Sequence, residues 1–308
     1  MAPTTTTPDR TGIRLANQRT LSSIMWKQFR RHQMAMAATV VLIVLILGSA
    51  FVSVISPYDP ETSSMRERRD APSLEHPMGT DTLGRDMLTR LLYGGRVSLS
   101  IGLAATALGI TIGTIVGALA GYYGGRVDDI LMRLTDLFIS LPRLFMLIIM
   151  SLLLRSLDVP ILKANGNVGG IVLILGVLSW TGVARLVRGQ FLSLKEKEFV
   201  EAARTLGIGN LRIVFRHILP NTATPIIVAA TLLVAGTIIS ESGLSFLGFG
   251  VQPPTPTWGN MLNAAQDEMR KGNWWMAVFP GLMIFLTVIS INYIGDGLRD
   301  ALDPRKLK

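Results

Sequence analysis

Apolar and polar residues alternate in long blocks along this chain. Apolar runs near the ~20 residues needed to cross a bilayer as an α-helix fall at about residues 36–55, 99–120, 130–154, 168–187, 222–249 and 274–294. The pattern predicts an all-α integral membrane protein with about six transmembrane helices. Pro142 and Pro225 interrupt the third and fifth runs, which a bundle tolerates when neighbouring helices satisfy the freed backbone groups. In the second run Gly109, Gly113, Gly117 and Gly121 recur every four residues, so they share one helix face and permit close approach of another helix. We read this stripe as a helix-packing surface rather than a substrate lining.

Between the fourth and fifth runs lies a polar island, EKEFVEAARTLGIGNLRIVFRHILPN, at residues 196–221. Phe199, Ala202, Ala203 and Leu206 fall at i, i+3, i+4 and i+7, and Leu211, Val214, Phe215 and Ile218 repeat that spacing. Two short amphipathic helices meeting at a turn are expected. Gly207 suits a C′ position with positive φ, Asn210 is placed to N-cap the second helix, and Pro220 marks the turn into the next span.

This island resembles the EAA loop of ATP-binding-cassette importer permeases: Glu-Ala-Ala, three residues, Gly, nine residues, Ile, one residue, Leu-Pro. Here the matching positions are Glu201, Ala202, Ala203, Gly207, His217, Leu219 and Pro220. His217 departs from the general Ile and gives the His-x-Leu-Pro-Asn form of the dipeptide/oligopeptide/nickel branch. The segments GTDTLGRDMLTRLLYGGRVS (79–98), ESGLSFLGFGVQPPTPTWG (241–259) and GDGLRDALDPR (295–305) also resemble that branch. The resemblance implies the transmembrane domain of a type I importer, with Phe199 and the motif residues forming the coupling element that a cytoplasmic ATPase grips. It further implies a second homologous permease, two ATPase subunits that bind ATP and Mg in place of this chain, and an extracytoplasmic binding protein. Di- or oligopeptide cargo is expected; nickel-chelate, glutathione or opine uptake is the alternative.

Composition agrees with a membrane location. Of 308 residues 49% are hydrophobic and 17% charged, and the mean hydropathy is +0.43. Arg10, Arg14, Arg19, Lys27, Arg30 and Arg31 precede the first run with Asp9 alone against them, so the positive-inside rule places the N-terminus in the cytoplasm. An even span count returns the C-terminus there and puts 196–221 on the same side. The resulting division is a cytoplasmic arm (1–35), a first transmembrane helix (36–56), an extracytoplasmic segment (57–97) and a core permease domain (98–308). That core holds five transmembrane helices and a coupling loop at about 188–221. Residues 1–9 read as disordered. Basic residues are dispersed over loops, which disfavours a nucleic-acid partner.

Around 79–98, Thr80 or Asp81 is placed to cap a short helix, with Arg85, Asp86 and Arg90 forming local ion pairs. Trp258, Trp274 and Trp275 read as interfacial anchors. Glu241 is a carboxylate in an apolar run, costly unless it faces a cavity or a partner, and is the candidate pathway residue. A proton-coupled secondary transporter titrating Glu241 and Asp136 is the rival from another class, but no pseudo-repeated half accompanies those acids. The chain has no cysteine, no Gly-x-x-x-x-Gly-Lys-Ser/Thr and no spacing typical of a catalytic triad, and His32, His76 and His217 stand far apart. It therefore reads as a non-catalytic subunit without a metal site.

Overall fold

Uncharged runs in a bilayer have one economical backbone solution, the helix, which satisfies each N–H and C=O internally. The computed structural model describes residues 21–156 and 160–302, so residues 1–9 and the basic positions 10, 14 and 19 lie outside the described part. Twelve α-helices follow one another there: α1 (Leu21–Arg31), α2 (Gln33–Ala50), α3 (Val52–Ile55), α4 (Met87–Tyr123), α5 (Gly125–Ser140), α6 (Arg143–Ser156), α7 (Pro160–Leu194), α8 (Glu198–Thr205), α9 (Asn210–Ile213), α10 (Leu219–Phe246), α11 (Trp258–Arg270) and α12 (Trp275–Leu302). A π-helical turn, Val214–Ile218, joins α9 to α10. Among the described residues the only β-pairing is an isolated bridge between Thr80 and Asp86. Five continuous helical stretches are long and apolar enough to span a membrane, and α5 with α6 make a bent sixth.

That bent pair corrects the third predicted span. The run is two helices meeting at 91°. Pro142 offers no N–H and pushes the residue before it out of the helical region, and Leu141 accordingly adopts φ −86°, ψ 137°. A second correction concerns α4, which starts at Met87, twelve residues ahead of the predicted run. Its cap is Asp86, which accepts a hydrogen bond from Thr89 N at 2.7 Å, rather than Thr80 or Asp81. Asp81 instead closes a turn, accepting from Leu83 N at 2.8 Å and Arg85 N at 3.0 Å, and it pairs with Arg85 at 2.7 Å and Arg90 at 3.5 Å. At 37 residues and 1.5 Å per residue, α4 is about 55 Å long, well beyond the ~30 Å hydrocarbon core.

The bundle is organised on α4 and α7. A Cβ placed on Gly113 would lie 2.6 Å from Val183 Cβ and 2.7 Å from Trp180 O. On Gly117 it would meet Ala184 O at 2.4 Å, on Gly121 Phe191 Cβ at 2.6 Å, and on Gly109 Ser179 Cβ at 3.2 Å. All four glycines thus face successive turns of α7, and at the last three the room for a side chain is taken by backbone or β-carbon atoms. With no hydrophobic drive between helices in lipid, this intimate van der Waals contact is what holds the pair together. On its other side α7 is tied to α5 by Arg188, which grips Asp128 at 2.5 and 2.6 Å, and by Arg185 to Asp136 at 2.5 Å.

At the end of the bundle opposite α8, the 57–86 segment is fastened down by buried polar contacts. Arg69 reaches Glu268 of α11 with Nε–Oε2 2.7 Å and Nη2–Oε1 3.2 Å. Lys271 Nζ and Asn273 Nδ2 add bonds of 2.7 Å each to the same carboxylate. Trp258 and Trp275 are buried, at 1% and 6% exposure, and Trp274 alone of the three is exposed. The first two are core residues and not lipid anchors: Trp258 Nε1 donates to Leu91 O at 2.9 Å and Trp275 Nε1 to Thr80 O at 3.1 Å. Gly95 makes room for the former, since a Cβ there would touch Trp258 Cζ2 at 2.9 Å.

Replacing Gly113 with Leu should separate α4 from α7, costing at least the roughly 1–3 kcal/mol of an overpacked core. The purified protein should melt at lower temperature with ligand preference unchanged. Unaltered stability with an altered preference would show instead that the stripe lines the pathway.

The Glu268 carboxyl is held down at about 2, from 4.5, chiefly by hydrogen bonds from Arg69 and Lys271, with Asn273 adding to them. A depressed acid stabilises the fold fully above its unfolded value and loses that contribution as pH falls through the folded one. Wild type should therefore shed stability between about pH 4.5 and 2 in a component that Glu268→Gln lacks. Identical acid-denaturation profiles for the two proteins would refute this account.

Candidate functional site

The segment 198–218 sits against the ends of α4 and α7, and its sequence explains its shape. Glu198 and Glu201 occupy the first turn of α8, where the positive end of the helix dipole favours them. The helix stops at Gly207, whose φ is +75°, and Ile208 N bonds back to Ala203 O at 3.1 Å. Nothing lies within 4 Å of a Cβ built on Gly207, so torsion and not crowding calls for glycine.

Two local expectations are corrected. Asn210 is not the cap of the second helix: Gly209 holds that position, and Asn210 Oδ1 accepts from Tyr122 Oη at 2.8 Å. The chain does not turn at Pro220 either. Pro220 lies directly after the π turn, and α9, the π turn and α10 run on as one stretch, Asn210–Phe246.

The burial pattern divides the segment into two faces. Val200, Ala203, Ile213 and Ile218 are buried with Tyr122 of α4 and Val183, Val187 and Phe191 of α7. Arg204 lies over the Tyr122 ring at 5.9 Å. Exposed are Phe199 (41%), Leu206 (80%), Leu211 (69%) and Phe215 (65%), the last two bordering an apolar groove along α4. Of the motif residues, Ala203 is thus packed inward, while Glu201, Ala202, Gly207 and Pro220 are exposed and His217 and Leu219 half-buried. The spacing alone does not say which face packs inward. Val200 and Ile213 do the anchoring, and the regular apolar stripe is largely left uncovered. Tyr122 is the contact that sequence reading misses, because its partner Asn210 is 88 residues away.

Glu241, at the far end of α10, is fully buried. Its Oε1 accepts from Ser245 Oγ at 2.7 Å and its Oε2 from Ser98 Oγ of α4 at 3.1 Å and Ser242 Oγ at 3.4 Å. Ser98 Oγ in turn accepts from Trp258 N at 3.3 Å. The carboxylate knots α4, α10 and the start of α11 together, a satisfied buried polar network. Asp136 is 61% exposed at its side chain and paired with Arg185, so the two acids invoked for a titrating pathway lie apart, one sealed and one at the surface.

Five apolar spans and a bent helix pair around a two-faced helical segment define a membrane permease. The chain belongs to the family of binding-protein-dependent transport system inner membrane components, which it matches over residues 109–308. Residues 20–74 match the N-terminal TM domain of oligopeptide transport permease C. It is 40% identical over 280 residues to the dipeptide transport system permease protein DppC of Bacillus subtilis (strain 168), covering 91% of this chain and 84% of that one. It is 43% identical over 281 residues to the glutathione transport system permease protein GsiD of Escherichia coli O6:K15:H31 (strain 536 / UPEC), covering 91% and 89%. Among solved structures, the inward-facing MetNI methionine ABC transporter superposes with a TM-score of 0.56 at 20% identity, over 70% of this chain and 98% of that one. The fold is that of a type I importer transmembrane domain, and the chain is a multi-pass inner-membrane permease of an ATP-driven, binding-protein-dependent importer.

Proposed function

We propose that this permease forms one half of the pathway of a di- or oligopeptide importer and takes its drive through the 198–218 segment. The carrying observation is the uncovered stripe of Phe199, Leu206, Leu211 and Phe215 on a segment whose opposite face is locked to α4 and α7. An apolar stripe on a solvent-facing loop has no reason to stay uncovered except a partner. The partner is a cytoplasmic ATPase, one of two, which binds ATP and Mg; this chain does no hydrolysis itself. A second homologous permease completes the pathway, and an extracytoplasmic binding protein delivers cargo to the end that holds residues 57–97.

In this reading, closure of the ATPases pushes on α8, with Glu201, Ala202, Gly207, His217, Leu219 and Pro220 framing the contact. Val200 and Ala203 pass the displacement to Tyr122 and to α7. The two permeases then rock between inward- and outward-facing states. Glu241 serves to hold the outer ends of α4, α10 and α11 together rather than to contact cargo. Peptide cargo is supported by the dipeptide permease relative and by the N-terminal match. The glutathione permease relative favours glutathione, itself a short peptide, as the second reading.

Phe199→Asp and Leu206→Asp alter exposed side chains, so insertion and folding should survive. ATP-driven uptake in reconstituted vesicles should fall about tenfold or more, as when a central apolar anchor is lost from an interface. Unlabelled dipeptide and glutathione as competitors separate the two cargoes. Normal uptake and normal ATPase stimulation in both variants would remove the docking role.

Orientation is checked separately. A reporter fused after Arg204 should register as cytoplasmic and one within residues 63–70 as extracytoplasmic, following the N-terminal arginines. The reverse at both sites would invert the topology.

A further inference from the structure

The segment between α3 and α4 brings Glu67 and Glu75 to His76, although eight residues separate the two glutamates. His76 is 5% exposed, and its Nδ1 lies 2.9 Å from Asp86 Oδ1. The other oxygen of Asp86 already accepts from Thr89 N at 2.7 Å and Thr89 Oγ1 at 2.6 Å. A carboxylate only accepts hydrogen bonds, so the proton of a neutral His76 sits on Nδ1 and the lone pair is on Nε2. Among the described residues that atom has no hydrogen-bond partner. Glu67 Oε2 is 3.9 Å from it, and one oxygen of each glutamate and a His76 nitrogen all lie within 4.8 Å of one another. Tyr58 closes one side, its ring centroid 5.0 Å from that of the imidazole.

We propose that His76, Glu67 and Glu75 form a binding site for a divalent transition-metal ion of the zinc class. Three groups whose ligand atoms lie within 4.8 Å of one another are placed to share a cation. One imidazole nitrogen with two carboxylate oxygens suits such an ion, with a water in the remaining position. Asp86 supplies the outer carboxylate that fixes the tautomer and sharpens the basicity of a metal-bound histidine. Glu67 and Glu75 are partly or fully exposed and free to draw in to the ~2.0–2.2 Å of zinc–oxygen bonds. Because Asp86 is also the cap of α4, the ion would pin residues 67–76 to the head of the bundle's longest helix. The site takes the ion as a resident of the outer segment, independent of what the permease carries.

The test uses the full-length chain purified in detergent, stripped with chelator and titrated with Zn2+. Wild type should bind one equivalent per chain that the Glu67→Gln/Glu75→Gln double variant lacks, with affinity at least about tenfold weaker in the variant. Bound zinc should raise the melting temperature of wild type alone. The double variant keeps His76, Asp86 and the cap of α4, so it tests the site without unfolding it. Co2+ added to stripped wild type should give the intense visible absorption of a four-coordinate ion, and His76→Ala should abolish it. Equal zinc uptake by wild type and the double variant overturns the proposal. So does no uptake by wild type, which would leave a doubly protonated His76 bridging Asp86 and Glu67. Neither result depends on ATP-driven uptake, so failure here and failure of the transport reading are distinguishable.

Discussion

Everything in this bundle depends on how closely α4 and α7 approach. Three of the four glycines of the stripe leave no room for a β-carbon, so the distance between the two helices is set by backbone against backbone rather than by adaptable side chains. Such a contact has a narrow optimum. Fixing that spacing fixes the base on which Val200, Ala203, Ile213 and Ile218 sit, and Tyr122, the residue after the last glycine of the stripe, carries the hydrogen bond to Asn210. The packing of two helices and the seating of the 198–218 segment are thus one structural fact.

The two ends of the molecule are held by different physics. Towards the α11 side, polar groups dominate: Glu241 among three serines, and Glu268 gathering Arg69, Lys271 and Asn273. Directional, mutually satisfied bonds of this kind resist small shifts. At the α8 end the segment is seated mainly by buried apolar contacts, with Tyr122 donating to Asn210 across them. The same chain thus uses directional polar bonds at one end and apolar packing at the other.

What the sequence showed clearly was anything that one-dimensional spacing encodes. The apolar runs, the glycine register and the positive φ at Gly207 needed no tertiary information, and the pattern of Glu201, Ala202, Ala203 and Gly207 pointed to the family. Features set by distant partners were not legible. The start of α4 at Met87 follows from the Asp86 cap and from Leu91 and Trp258 packing together, not from local hydropathy. The tryptophans at 258 and 275 looked like lipid anchors because composition cannot tell a membrane surface from a buried cleft. Which face of α8 packs inward was not legible, because an apolar stripe awaiting a partner has the same periodicity as one already buried. The bend at Pro142 was in view as a proline, but its 91° angle comes from what surrounds it.

The π turn at Val214–Ile218 bears on how far such segments are interchangeable. A π turn is an α-helix with one residue inserted, and at 3.6 residues per turn one residue corresponds to about 100° of azimuth. The stretch Asn210–Phe246 is otherwise continuous, so that single inserted residue decides the compass bearing of Leu211 relative to the transmembrane face of α10. A segment grafted from a permease with an ordinary α turn here would arrive with its contact stripe rotated by roughly a quarter turn or more, however well its individual residues matched. Compatibility between permeases and their motors is in this sense a matter of phase as well as of composition.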